Sequence, residues 1–185
     1  MTSDPKAVAR KAGFARRKAA FDAQGPGAAG KLSEFLAGYR GVPIAGYMPI
    51  RTEIDPLPAM AEASAHGPVG VPVIKAADTP LDFAQWDPDC AMETGAFGAY
   101  VPVEKVWIRP EIVIVPLVAF SREGGRMGYG GGFYDRTLEL LRANGPVLAV
   151  GFAFNAQEDP DLPLEPTDQP LDLIITESDV LSCKP

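Results

Sequence analysis

One histidine and two cysteines are all that the 185 residues hold of the side chains most used in metal sites and covalent catalysis. With His66 alone, there is little material for a Ser-His-Asp triad or for a zinc site built on several histidines. His66 precedes Gly67-Pro68 and reads as a surface or capping residue at the end of a short helix. Cys90 and Cys183 lack metal-ligand spacing and read as two free thiols in a reducing compartment. Positive charge is scarce too. Seventeen Lys and Arg stand against 24 Asp and Glu, a net −7, which argues against nucleic acid and anionic membrane as partners. No run approaches the ~20 apolar residues of a membrane span, and the opening segment Met1 to Lys6 carries no apolar signal core. A cytoplasmic location is expected.

What is present is a chain 46% apolar with no break in composition, enough for one core. Residues 1–185 read as a single domain and a monomer acting on small molecules. Asp4-Pro5 opens a helix running to about Gln24, where Gly25-Pro-Gly27 stops it. On that helix Lys6, Arg10 and Arg17 fall within roughly 40° of one another. Val8, Ala12, Ala15 and Ala19 gather on the opposite side, so the spacing predicts a cationic stripe facing away from a packing stripe. A second helix is expected over Gly30–Tyr39, and a third from an Asp55 cap with Pro56 at its first position to about Gly67. Strand signals fall at Val42–Met48, Val69–Ile74, Ile112–Ala119, Val147–Phe154 and Leu171–Thr176. Strands alternating with helices indicate an α/β fold with a largely parallel sheet and helices on both faces. From Ala76 to Arg109 the pattern is irregular. That stretch is either a functional loop or a set of short strands, with Phe83 and Trp86 read as core filler or, less readily, a substrate wall.

The richest segment is Arg126-Met-Gly-Tyr-Gly-Gly-Gly-Phe-Tyr-Asp-Arg136, set between the apolar run Glu111–Phe120 and an amphipathic helix signal from Phe133 to Arg142. Its glycines let backbone amides turn towards an anion, a helix beginning inside it adds a positive dipole end, and two arginines supply charged donors. Asp135 suits the magnesium that accompanies a nucleotide triphosphate. The same residues also satisfy a plain flexible turn with Asp135 complementing a helix N-terminus. Neither the P-loop nor the G-x-G-x-x-G spacing is met.

Val115–Phe120 followed by Gly125–Arg136 resembles the signature of the 5-formyltetrahydrofolate cyclo-ligases, also called methenyltetrahydrofolate synthetases. The likeness extends in order to Lys6 and Arg10, Tyr47–Glu53, Val71–Ile74, Gly151–Gln157, Leu162–Glu165, Asp168 and Asp172–Thr176. Ser121, Thr167 and Phe133 depart from the usual Asp, His and Tyr of that pattern. The resemblance implies a three-layer α/β/α fold and ATP-dependent closure of 5-formyltetrahydrofolate to 5,10-methenyltetrahydrofolate with Mg2+ as cofactor. It also implies Arg126 and Tyr134 as catalytic residues, and Lys6, Arg10, Arg126, Gly128, Gly130, Gly131, Gly132 and Tyr134 around ATP. Met48, Glu53, Tyr129, Gly130, Gly131, Gly132 and Phe133 would then meet the folate, and Asp135 and Asp168 the metal. Glu53 suits a pterin because a fixed carboxylate can accept two of its N–H donors, and the aromatic residues can stack on the flat ring. Gln157 matches the pattern, with no physical role that the sequence suggests.

Overall fold

The computed structural model describes residues 3–183; Met1 and Thr2 of the opening segment and the last two residues of the expected 1–185 domain lie outside them. Helix α1 spans Pro5–Ala23, with Gln24 closing it as expected. The Asp4 carboxylate accepts the Lys6 amide at 3.1 Å, and Pro5 sits in the first turn, where its missing N–H leaves no bond unmade. The expected sidedness of this helix is reversed. Val8, Ala15 and Ala19 are exposed, whereas Ala9, Gly13 and Arg17 are buried. The reason is a close approach at Gly13, where a Cβ would lie 2.8 Å from Val118 Cγ1 and 3.0 Å from the Val118 carbonyl oxygen. The small residue therefore packs beside the cations and turns the basic stripe inward.

Helix α2 spans Gly30–Ala37, two residues shorter than expected, and β1 is only Ile44–Ala45. Helix α3 covers Leu57–Ser64, shorter than expected at both ends: Pro56 is the N-cap in place of Asp55, whose carboxylate accepts the Leu57 amide at 2.9 Å. Strand β2 (Val69–Val73) follows. The irregular stretch resolves into β3 (Asp82–Gln85), β4 (Met92–Thr94), β5 (Tyr100–Pro102) and β6 (Trp107–Ile108). Phe83 and Trp86 are buried there as core residues, while Phe97 and Trp107 are exposed.

The long apolar run splits into β7 (Ile112–Pro116) and β8 (Ala119–Phe120), the latter pairing with β9 (Arg126–Met127). Helix α4 (Phe133–Ala143), β10 (Leu148–Phe152), β11 (Leu173–Ile175) and β12 (Val180–Ser182) complete the order.

The main sheet runs β12-β11-β10-β7-β1-β2-β3-β6. Its five central strands, β11 to β2, are parallel, and the strands added at either edge are antiparallel. Alternation along β7 builds two cores. Ile112 and Ile114 pack with Leu32, Leu36 and Ala59 of α2 and α3, and Val113 and Val115 pack with Leu138 of α4. Helices thus cover both faces of a largely parallel sheet in three α/β/α layers, as expected.

The chain leaves β1 for β2 on one side and places β7 on the other, so strand order reverses between β1 and β7. In open α/β sheets a crevice forms beyond the carboxyl ends of two such strands. Tyr47 and Met48 emerge there from β1, and Leu117 from β7.

Candidate active site

A cavity of about 650 Å3 opens at that switch point, within the size range of small-molecule sites. It gathers every site residue expected from sequence. Lys6 and Arg10 reach it from α1, Met48 and Glu53 from the segment after β1, and Arg126 from β9. Gly128, Tyr129, Gly130, Gly131 and Gly132 form its loop wall, Phe133, Tyr134 and Asp135 enter from the first turn of α4, and Asp168 closes the rim. Sequence reasoning missed Pro72 and Ile74 at the end of β2, Leu81, and Pro116 at the end of β7. Their signal was topological: they cluster at or just beyond strand ends, on the side where the crevice forms.

The glycine loop bends tightly. Gly130 and Gly132 have φ of +97° and +70°, conformations that side chains rarely adopt. Gly132 is also the N-cap of α4. Among the described residues, the amides from Gly128 to Asp135 donate to no protein acceptor outside the helix ladder. They are left at a helix N-terminus, where anions are favoured. Two arginines brace the loop: Arg10 Nε donates to the Gly128 carbonyl at 3.0 Å, and Arg136 Nη1 donates to the Gly131 carbonyl at 2.8 Å.

Arg126 is nearly buried and its Nη2 donates to Asp135 Oδ1. That same oxygen accepts the Gln169 amide at 2.8 Å. Burial pulls the Arg126 pKa down, and the negative charges of Asp135 and Asp168 push back. Its Nε has no hydrogen-bond partner among the described residues. Asp168 Oδ2 accepts the Glu165 amide at 2.8 Å, a local turn, and lies 3.6 Å from Lys6 Nζ, which is 3.2 Å from Glu165 Oε2. The pairing of β10 beside β7 is what returns the Asp168 loop to the glycine loop.

Asp135 keeps Oδ2, and Asp168 keeps Oδ1, free of hydrogen bonds to described residues. Two hard oxygens beside the glycine loop would suit a magnesium ion whose remaining ligands came from water and phosphate. No group of three or more acidic, His or Cys ligands stands together among the described residues, so the protein alone builds no closed metal cage.

Glu53, from the segment after β1, is buried at 4% exposure, its Oε1 accepting the Ile50 amide at 2.8 Å and its Oε2 the hydroxyl of Tyr129 in the loop at 3.3 Å. Burial pushes its pKa up to about 7; the Ile50 hydrogen bond and the Arg17, Tyr129 and Arg51 interactions oppose that rise. Tyr134 places a buried hydroxyl nearby that has no hydrogen-bond partner among the described residues. Burial, reinforced by Glu53, holds its pKa far above the ordinary tyrosine value, so the hydroxyl stays a donor. Phe133 meets Phe97 edge-on at 6.3 Å, which places the β4–β5 hairpin beside the cavity mouth.

Gln157 is structural. It is buried, its Nε2 donates to the Leu117 carbonyl at 2.7 Å, and its Oε1 accepts the Phe154 amide at 2.8 Å. It thus satisfies backbone groups just beyond β7. Ser121 also keeps a turn role, its Oγ accepting the Gly125 amide at 3.1 Å.

A family profile described as the 5-formyltetrahydrofolate cyclo-ligase family matches residues 10–177. A relative from Haemophilus influenzae named 5-formyltetrahydrofolate cyclo-ligase is 41% identical over 96 residues, covering 49% of this chain and 51% of that protein. The chain thus matches about half the length of that relative. One of the same name from Mycolicibacterium smegmatis is 29% identical over 194 residues, covering 95% of each chain. The solution structure of Aquifex aeolicus 5,10-methenyltetrahydrofolate synthetase superposes with a TM-score of 0.76 at 26% identity, over 97% of this chain and 93% of that one. The chain belongs to the 5-formyltetrahydrofolate cyclo-ligase family.

Proposed function

We propose that this chain converts 5-formyltetrahydrofolate to 5,10-methenyltetrahydrofolate with consumption of ATP and release of ADP and phosphate, in the presence of Mg2+. One observation carries the reading: the arginine-braced glycine loop and the buried Glu53 carboxylate face the same cavity. A triphosphate and a pterin held there would meet with their reacting atoms together, which is most of what the chemistry requires.

An amide carbon is a poor electrophile. The formyl oxygen attacks the terminal phosphorus and ADP departs with the bond's electron pair. The neighbouring folate nitrogen then closes on the activated carbon, loses its proton, and phosphate leaves with the former formyl oxygen. The protein's part is alignment and charge neutralisation. Lys6, Arg10, Arg126 and the amides of Gly128 to Gly132 supply positive charge and donors for the phosphates. Tyr134, held protonated, offers a hydrogen bond to an oxygen gaining charge during transfer, and with Arg126 it forms the catalytic pair. Asp135 and Asp168 would hold the Mg2+, which supplies additional neutralisation of the triphosphate when bound. Glu53 accepts the pterin's N–H groups, while Met48, Tyr129 and Phe133 wall the ring.

The family match over residues 10–177 supports reading the chain as one catalytic unit acting on small molecules. No helix among the described residues is long and apolar enough to cross a membrane. Purified protein given 5-formyltetrahydrofolate, ATP and Mg2+ is expected to generate the methenyl chromophore together with ADP. Saturating substrates without product would defeat the proposal.

A further inference from the structure

Arg17 has no exposed surface, yet it lies on the face of α1 that carries Lys6 and Arg10. Burying a guanidinium is costly unless its donors are met. Here three are: Nε donates to Thr52 Oγ1 at 3.0 Å, Nη1 to the Leu117 carbonyl at 3.3 Å, and Nη2 to the Tyr129 hydroxyl at 2.8 Å. These partners come from the residue before Glu53, the end of β7 and the glycine loop. Tyr129 accepts from Arg17 and donates to Glu53 Oε2 at 3.3 Å, so the three side chains form one directed chain of hydrogen bonds. The Tyr129 ring is gripped as well. Arg17 lies 5.4 Å from its centroid, Arg51 5.4 Å, and the Phe14 ring 5.5 Å. Arg51 holds φ at +53°, a strained conformation for a side-chain-bearing residue, in the turn that presents Glu53.

We propose that Arg17 is a positioning residue which, through the Tyr129 hydroxyl, aims the Glu53 carboxylate at the folate ring, and so ties the phosphate loop to the folate-reading carboxylate. This rests on the function proposed above and adds to it a residue that touches neither substrate. Among the described residues, the charged and titratable groups that face Glu53 are Arg17 from α1, Arg51 from its own turn, Tyr129 from the loop, Tyr134 from α4, and Tyr47 from the segment after β1. Among them only Tyr129 donates a side-chain hydrogen bond to the carboxylate. Arg17 fixes that hydroxyl by giving it a proton to accept. A ligand that donates N–H groups needs the ionised carboxylate, so its affinity falls as pH drops through the titration of Glu53 in the free protein.

The test is the pH dependence of 5-formyltetrahydrofolate affinity, measured by calorimetry on the whole chain and two variants. Tyr129→Phe removes only the hydroxyl, and Arg17→Lys keeps charge but loses the three-pronged fork. Both are expected to move the midpoint of the pH profile upward and to weaken binding at pH 7 by roughly threefold to tenfold. Arg17→Lys is the variant more prone to misfold; in that case Tyr129→Phe alone decides. An unmoved midpoint with weakened affinity would assign Arg17 and Tyr129 a purely structural part and overturn the relay. A wild-type protein that binds no folate at any pH would overturn the relay together with the function beneath it, a result distinguishable from the first.

Discussion

Arg126 and Asp135 form a largely buried ion pair in which one carboxylate oxygen serves both the guanidinium and the Gln169 amide. The arrangement holds the cation beside the glycine loop and leaves the second oxygen free. Asp135→Asn keeps an acceptor for Gln169 but withdraws the charge that neutralises Arg126. Stability is expected to fall by about 2–3 kcal/mol, somewhat less than for a fully buried pair because Asp135 is partly exposed. Turnover should fall at least roughly a hundredfold. Adding Arg126→Met should restore much of the stability and none of the turnover, as read by denaturant titration and the methenyl assay. An Asp135→Asn enzyme with unaltered rate and unaltered magnesium requirement would contradict the metal assignment.

Glu53 makes a different prediction, in the stability of the protein without ligand. Its pKa in the fold is about 7, against an ordinary value of 4.5. The folded protein therefore binds the extra proton between those values. The contribution to stability is fully present below pH 4.5 and is lost as pH rises through 7. Glu53→Gln should remove that dependence, so its Tm relative to wild type should climb between pH 5 and pH 8. The full shift corresponds to about 3 kcal/mol as an upper bound. Thermal melts at both pH values check it, and parallel curves would refute it. With ligands present, the same variant should lose folate affinity and retain ATP affinity.

Gly13 tests whether the docking of α1 builds the phosphate side of the cavity. Alanine inside a helix ordinarily gains about 1 kcal/mol over glycine. Here the added Cβ meets Val118 Cγ1 at 2.8 Å and its carbonyl oxygen at 3.0 Å, and a backbone oxygen cannot swing aside. Gly13→Ala is expected to destabilise by about 1–3 kcal/mol. By lifting α1 it should also raise the KM for ATP more than that for folate. A gain in stability would show that the helix does not sit where the site needs it.

These residues also show what could be read from sequence and what could not. The limits of α1 were legible because capping is local: Asp4, Pro5 and Gly25 act within a turn of the helix ends. The loop at Gly128–Gly132 and the central strands were legible for the same reason, as short patterns with their own chemistry. Which side of α1 faces inward was not, since the contact at Gly13 involves Val118, 105 positions away by their numbering. Composition favoured exposing the cations, whereas a buried Arg17 becomes affordable only once Thr52, Leu117 and Tyr129 converge on it. Gln157 was opaque likewise, because its partners at Leu117 and Val118 lie in another strand's exit. The short strands of residues 82–108 carry too few residues each for alternation to show.

Gly130 isolates the loop's geometry from its charges. At φ of +97°, alanine would be strained by about 1–2 kcal/mol, and its Cβ would stand 3.4 Å from Arg10 Nη2. Gly130→Ala should lower ATP affinity by roughly tenfold, measured with a non-hydrolysable analogue. Unchanged affinity would mean the loop is a turn and not a phosphate cradle.

The central claim is that one cavity brings a triphosphate and a formylated pterin together. Its most direct measurement is calorimetric titration of 5-formyltetrahydrofolate and of an ATP analogue with Mg2+, each alone and each in the presence of the other. Both ligands should bind at once, at one site each, with the folate lost in Glu53→Gln and the nucleotide lost in Arg126→Met. Mutual exclusion of the two ligands, or binding of neither, would contradict the account.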